Sequence, residues 1–599
     1  TASCLVTVLP NLNSRAFGAR ETFDAASVEV EACFPGQDIA AVQAMAEDGQ
    51  LAIRYADMNG NGSTDVVFIG GEESRVGYLE LYPERPNLLV EVTNGLGKTI
   101  RASYGSSVQH QARDAADATS PWQAWSHRLP HAQVTLDRLE TATDGFPAST
   151  EVSHYRYHDG LYDGREQRFA GFEAPEVLTE PGPDIEEGHA LYTFDLGASD
   201  VYRQGLLVAL ETFSAGEPIQ GKASTFEDCP VAEVPTTTEP RVRYVCEVGS
   251  TTLLKERLPS SAWRQLESRT TYNGYGNVSR SESLGVVPFH AAGCPPCTDL
   301  TAFGEPCDAT CRGDEQVVET SFITPGASTG GRWLLNLPYR KQTFGEDVAG
   351  GRKTDERTHY DGADFEGLGP GLATRGLATR MTVAATASHT IVSSRAKYDA
   401  HGNVLALLDP RATGPGSAYR REFGYDADGL SLVRERQYFD VTGVAYALEQ
   451  RVALDPVLDA VTESTDWIRV EGGHDQTPES ATRYGYDAFG RLIALAQPGD
   501  TLAAPTHEYQ YDLNAPTSRI IGRSRSLGGG VLDLEAVQCF DGAGRALQTR
   551  TLVKAGLYQV SGFSDFSSKG KERRRFQPYL GASGACDTSA PAGVLSTLI

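Results

Sequence analysis

A short unit recurs along the second half of this chain, and it constrains the fold more than any other feature. It reads aromatic residue, Asp or Asn, two variable residues, Gly, then Asn, Arg or an apolar residue. Copies are Tyr272-Asn-Gly-Tyr-Gly-Asn277, Tyr398-Asp-Ala-His-Gly-Asn403, Tyr425-Asp-Ala-Asp-Gly-Leu430, Phe439-Asp-Val-Thr-Gly-Val444, Tyr486-Asp-Ala-Phe-Gly-Arg491 and Phe540-Asp-Gly-Ala-Gly-Arg545. An Asp side chain at the start of a turn can accept the backbone N–H two residues on, and Gly supplies the positive φ that closes the turn. Aromatic residues sit at a period of two before the turn, as in Phe423 with Tyr425, Tyr484 with Tyr486 and Tyr509 with Tyr511. That period places each pair on one face of a strand. Each unit therefore predicts a β-hairpin. A lone hairpin is not stable in water, so the series predicts one large curved sheet in which neighbours pair their edges. The irregular spacing of the copies excludes a solenoid of fixed pitch.

Composition agrees with a mainly β chain. Gly (62) and Pro (31) are frequent, and Tyr (25) and Phe (22) far outnumber Met (3), a bias that suits pleated surfaces. The 599 residues are material for about three or four domains. No window approaches the roughly 18 consecutive apolar residues of a membrane helix, so no membrane span is expected. The formal net charge of −26 repels nucleic acid and anionic lipid, which makes both poor partners; it would attract a basic polypeptide, though an acidic surface also serves solubility. The ten cysteines include Cys4 and Cys33, Cys229 and Cys246, the cluster Cys294, Cys297, Cys307 and Cys311, and Cys539 and Cys586. The cluster's spacing is unlike a zinc ribbon or finger, and disulfides in an oxidising compartment are the better reading. Their connectivity is open. Thr1 to Pro10 shows no signal-peptide pattern, and the chain is expected to be part of a larger protein.

The first half carries separate landmarks. Between strand-like runs lies Asp57-Met-Asn-Gly-Asn-Gly-Ser-Thr-Asp65, with oxygen-bearing side chains at Asp57, Asn59, Asn61, Ser63 and Asp65. Such spacing around glycines suits Ca2+, which takes six to eight hard oxygens. It resembles the first half of an EF-hand loop, but the Glu at position twelve is missing and a strand follows at Val66 to Ile69; the alternative is an Asx/Gly turn without metal. Asn94-Gly95-Leu96-Gly97 predicts a hairpin turn. Residues 109–125 predict a loop with a short helix, with Trp122 and Trp125 as packing anchors. Asp159-Gly160 and Asp163-Gly164 predict turns within Tyr155 to Phe172, and His158 beside Asp159 reads as a structural turn histidine.

Catalytic patterns are weak. Gly326-Ala-Ser-Thr-Gly330 fits a nucleophile-elbow spacing after the run Val317 to Ile323, but such an elbow needs a helix behind the serine. Here a strand is expected at Trp333 to Pro338. Glu29-Val-Glu31 reads as ordinary strand alternation. Zinc-protease, P-loop and dinucleotide fingerprints are missing. The expectation is a non-enzyme.

Together, the Asp57–Asp65 loop, the runs Arg85 to Ser107 and Tyr155 to Phe172, Arg332-Trp-Leu-Leu-Asn-Leu-Pro338 and the aromatic–Asp units resemble the toxin-complex B component of the Rhs/YD-repeat superfamily. The resemblance implies the end of an FG-GAP/VCBS-type β-propeller over residues 1–84, a middle region that starts the shell over 85–270, and a YD-repeat β-sheet shell, half of a cocoon, over 271–599. It implies a secreted, non-catalytic shell that encloses a toxic C-terminal polypeptide supplied with a downstream C component, and a propeller that docks on a pore-forming A component. Most of the propeller and the self-cleaving C-terminal core of the family are not in this sequence, and the Cys294–Cys311 insert departs from the family pattern. An extracellular adhesion scaffold built from the same repeats is the alternative.

Overall fold

Alternating stretches set between Gly-rich turns fold, in the computed structural model of this chain, into antiparallel β-structure. The structure describes residues 5–8, 11–12, 16–17, 21–24, 51–70, 75–80, 82, 85–144, 148–182, 186–233, 242–255, 263–287, 316–345, 352–385, 389–441, 444–470, 481–567 and 569–599. Cys4, Cys33, the Cys294–Cys311 cluster and Glu29-Val-Glu31 lie outside them. The chain divides into two compact units: Thr1–Thr93 with Thr99–Ala142 and Thr150–Glu217, and Asn94–Lys98 with Thr143–Ser149 and Pro218–Ile599.

In the first unit, Leu51–Ala56, Asp65–Gly70 and Arg75–Leu79 form a three-stranded antiparallel sheet. The connection between its first two strands is the Asp57–Asp65 loop. Ser149–Arg156, Glu176–Thr179, Gly188–Asp195 and Leu206–Ser214 pair in turn, and Gly160–Asp163 with Arg168–Phe172 makes a separate hairpin. The short helix is Ser107–Ala116. It starts where Ser106 and Gln109 cap each other reciprocally, Ser106 Oγ accepting from the Gln109 N–H and Gln109 Oε1 from the Ser106 N–H, which meets two otherwise orphaned donors.

The second unit is a long meander in which each strand, from Glu217–Cys229 to Leu557–Ser561, pairs with the next. It forks once. Val444–Leu454 pairs with Val461–Thr465 through its end and with Ile468–Val470 through its start. Ser564–Phe566, Glu572–Phe576 and Ser596–Leu598 form a small second sheet. The apolar core is divided into small clusters, such as Ile521, Val537, Cys539 and Leu547, or Phe365, Ala406, Leu408 and Ala412. With the core among the described residues broken into small clusters, local contacts must hold neighbouring strands.

The repeat turns supply those contacts. Asp399 Oδ1 accepts from the N–H groups of His401 and Asn403, Asp487 Oδ1 from Phe489 and Arg491, and Asp541 Oδ1 from Ala543 and Arg545. Asn273 and Asn94 hold their turns in the same way. Gly402, Gly490 and Gly544 have φ of 98°, 76° and 80°, where a Cβ would be strained. The carboxylate thus satisfies the N–H two residues on, as the sequence predicts, and also the one four residues on.

Several tyrosines that precede the turn Asp act through their hydroxyl. Tyr398 Oη donates to Ala378 O, Tyr425 Oη to Val404 O, Tyr486 Oη to Val461 O and Tyr511 Oη to Leu492 O, at 2.8 to 3.2 Å. Each acceptor is the first residue of the neighbouring strand, so each tyrosine latches its strand to the start of the one beside it. Tyr360-Asp361-Gly362, whose spacing departs from the repeat unit, does the same through Pro338 O at 2.8 Å. Between latches, arginine–carboxylate pairs cross the strands, as in Arg280 with Glu319, Arg421 with Glu435 and Arg523 with Glu535.

Two expectations are corrected. Phe439–Val444 joins two antiparallel strands, as the sequence predicts, but not by a turn of the repeat type. Asp440 pairs with Ala445 and Val441 with Val444, a register that leaves no room for the Asp-led turn and keeps Asp440 within the strand. Trp333 to Pro338 is not a strand either: a 3-10 turn at Ala327–Thr329 leads into irregular backbone, and the strand begins only at Pro338. Of the cysteines, Cys229 is bonded to Cys246 and Cys539 to Cys586.

Candidate functional site

The Asp57–Asp65 loop is built by its glycines. Gly60 and Gly62 have φ of 71° and 85°, and a Cβ on Gly60 would stand 2.5 Å from Val108 Cγ1. The loop can therefore curl tightly against the start of the helix only with glycine there. Within it, Asp57 Oδ1 accepts from the Asn61 N–H and Oδ2 from the Gly62 N–H. Asn59 Oδ1 also accepts from the Asn61 N–H. Ser63 Oγ lies 2.7 Å from Asn61 Oδ1 and 2.6 Å from Tyr82 O.

Asp65 differs from the others. It is fully buried; Oδ2 accepts from the Met58 N–H at 2.8 Å, while Oδ1 is buried with no hydrogen-bond partner. Burial, followed by the charges of Glu80 and Asp57, holds its carboxyl above the ordinary carboxylate range against the opposing Met58 N–H. Leaving a buried carboxylate oxygen unmet costs free energy that a cation would recover. The structure thus brings all five predicted residues into one loop and adds Glu80, whose Oε1 accepts from Asn59 Nδ2 at 2.5 Å and Asn61 Nδ2 at 2.7 Å. No spacing rule singles out Glu80, because it arrives from the far end of the third strand. Hard oxygen donors with three carboxylates are the chemistry of a calcium site.

A second polar constellation was not predicted as a unit. His158 Nδ1 lies 2.7 Å from Asp114 Oδ2, which also accepts from Trp125 Nε1 at 2.9 Å. Trp122 stacks on the His158 ring. Both tryptophans are the anchors the sequence suggests. Asp159, at φ 49°, accepts from the N–H groups of Ser126 and His127. Among the described residues, His127, Asp159 and Glu173 place one donor atom each within 4.8 Å of one another. These side chains are scattered in the sequence, so only the fold reveals the grouping. The Ser328 hydroxyl donates to Thr324 O at 2.6 Å and has no α-helix behind it, unlike the elbow its spacing suggested.

Residues 32–190 match the family described as insecticide toxin TcdB middle/N-terminal region. Over 97% of this chain the fold superposes on the crystal structure of TcdB2–TccC3, with a TM-score of 0.71 at 15% identity. Residues 32–190 are thus TcdB-like in sequence, and the chain is TcdB2–TccC3-like in fold. The crystal structure of TcdB2–TccC3–Cdc42 gives a TM-score of 0.71 at 14% identity, again over 97% of this chain. The structure of the Photorhabdus luminescens Tc holotoxin pore also gives 0.71 at 14% identity and 97% coverage. The chain spans 35 to 37% of the length of the chains it matches. Among curated proteins, none matches it. No helix among the described residues is long and apolar enough to cross a membrane.

Proposed function

We propose that this chain is a non-catalytic shell component of a toxin-complex-like secreted toxin, and that it encloses and helps deliver a toxic C-terminal polypeptide. The observation that carries this reading is the run of Asp- or Asn-led turns tied strand to strand by tyrosine latches, in a fold shared with TcdB2–TccC3. A wall made of locally latched hairpins needs no filled interior, which is the property a container requires. In this proposal residues 1–84 end an FG-GAP/VCBS-type propeller, 85–270 begin the wall, and 271–599 continue it as YD repeats. The partners are a downstream C component carrying the toxic polypeptide and a pore-forming A component that meets the propeller. The Asp57–Asp65 loop with Glu80 holds Ca2+ and fixes the junction between its strands.

The test is electron cryomicroscopy of the full-length protein purified with its downstream partner, paired with proteolysis of the partner's C-terminal segment. A hollow particle in which that segment resists protease is expected. A solid particle with the segment readily cleaved contradicts the proposal.

A further inference from the structure

The meander of the second unit uses one arrangement of arginines twice, once complete and once short of an acid. In the complete case Arg340 stands directly opposite Arg357 in register. Like charges directly opposite are unfavourable. Asp355 relieves them, two residues before Arg357 and therefore on the same face of its strand. It is 1% exposed. Arg340 donates to both of its oxygens, at 2.9 and 2.8 Å, and Arg352 and Arg357 donate to Oδ2 at 2.8 and 3.3 Å. The second case has the same register. Arg434 stands directly opposite Arg451, and Glu449 precedes Arg451 by two residues, as Asp355 precedes Arg357. The residue facing the acid differs. Gln342 faces Asp355, but Arg436 faces Glu449. Arg436 Nε donates to Glu449 Oε2 at 2.7 Å and Arg451 Nε to Oε1 at 2.6 Å. Both oxygens are thus taken by other arginines, and Arg434 is left over. Its Nε is buried with no hydrogen-bond partner, and no acid among the described residues pairs with it.

The leftover arginine is nevertheless seated. It lies opposite Gly424 on its other neighbouring strand, where a Cβ would stand 3.1 Å from Arg434 Nε. Glycine inside a strand weakens it and marks a close approach. Gly424 is not among the glycines with positive φ, so room for the guanidinium is what it provides. The neighbouring acid Glu422 is already held, by Arg420 Nε at 2.9 Å and Tyr438 Oη at 2.8 Å. We propose that Arg434, with Arg451 opposite and Arg436 beside it, binds a carboxylate side chain from an acidic polypeptide segment. The complete arrangement identifies the ligand: what satisfies Arg340 there is a carboxylate, which a guanidinium takes through two parallel hydrogen bonds. At Arg434 the acid comes from outside, because Arg436 has drawn Glu449 away. The net charge of −26 repels an acidic segment at a distance. Recognition therefore acts at contact, where a partly desolvated guanidinium pairs strongly. The site does not depend on whether the wall encloses anything.

The experiment follows, by fluorescence anisotropy, a dye-labelled serine-rich peptide carrying glutamates as it is titrated with the full chain. Physiological ionic strength screens the long-range repulsion. Saturable binding is expected, and the same peptide with glutamine in place of glutamate should not bind. Arg434→Gln should weaken binding about 10–100-fold, the worth of a charge-assisted hydrogen bond. Gly424→Ala, which crowds the guanidinium and removes no charge, should weaken it too. Arg436→Gln restores the arrangement around Asp355, frees Glu449 for Arg434 and should abolish binding. Arg421→Gln makes the same change of charge on the opposite face, where Arg421 pairs with Glu435, and should leave binding unchanged. Circular dichroism confirms that each variant is folded. Should Gly424→Ala not fold, Arg434→Lys, which keeps the charge and loses the fork, should still bind more weakly than the native chain. No saturable binding by the native chain, equal binding of the glutamine peptide, or undiminished binding in Arg434→Gln overturns the proposal. So does a loss in Arg421→Gln as large as that in Arg434→Gln, which would reduce the effect to overall charge.

Discussion

The Asp57–Asp65 loop and the repeat turns are written in the same residues, Asp or Asn followed by Gly, yet the loop's Asp65 meets the opposite fate to the repeat acids. In the repeats the acid is consumed. Asp487 accepts from two backbone N–H groups and from Arg491 Nε, and these hold its carboxyl below the ordinary range. Asp361 goes further: it is buried, yet the N–H groups of Thr374, Arg375, Gly376 and Leu377 surround it and outweigh the burial that would raise it. In the loop, Asp65 is buried with one oxygen unmet and its carboxyl is raised. A satisfied acid closes a turn. An unsatisfied one asks for a ligand.

The largest effect should come from Asp361→Ala, which strands four backbone donors inside the wall; a loss of about 3 kcal/mol is expected from denaturant unfolding, since an unmet buried donor costs about 1–3 kcal/mol. Gly490→Ala should cost about 1–2 kcal/mol through its left-handed backbone, because the nearest atom to the new Cβ, Leu458 Cδ2 at 3.9 Å, leaves it space. If Gly490→Ala is neutral, positive φ is not what the repeat glycine provides. Tyr360→Phe should cost about 1 kcal/mol by removing one latch from Pro338 O, with hydrogen exchange rising at the start of that strand and not elsewhere. The smallest effects are those of pH, and they differ in sign. Arg340 foremost, and then Arg357, hold Asp355 at about 2, below the ordinary 3.8. Its contribution is present above 3.8 and is lost as pH falls toward 2. The raised Asp65 works the other way: without cation the folded loop binds its proton more readily than the unfolded chain does, so the loop is steadier on the acid side and loses stability as pH rises through the raised value. Hydrogen exchange of the two segments, with Ca2+ removed, should show the opposed trends, the Asp355 strand loosening as pH falls below 3.8 and the Asp65 loop as pH rises above it.

Much of the wall was legible because each repeat turn is a local device. The Asp, the Gly and the spacing between them suffice to place the turns at Asp399, Asp487 and Asp541, and the antiparallel pairing follows. Tyr360-Asp361-Gly362 escaped notice because its carboxylate closes on residues 374–377, far beyond the span of the pattern. Phe439–Val444 misled in the other direction, since the motif letters are present while cross-strand register with Ala445 and Val444 prevails. The cross-strand arginine pairs and the tyrosine latches were invisible, because both depend on which strands become neighbours. At the candidate sites, Asp57 to Asp65 could be read from spacing alone. Glu80 and the His127, Asp159 and Glu173 group could not, since folding alone brings them together.

Calorimetric titration of the chelator-treated chain with Ca2+ tests most directly whether the same turn chemistry yields a cation site in one place and closed turns in the others. Saturable binding that Asp65→Asn abolishes and Asp487→Asn leaves unchanged is the predicted result. Binding that persists in Asp65→Asn, or no calcium binding by the native chain, would contradict it.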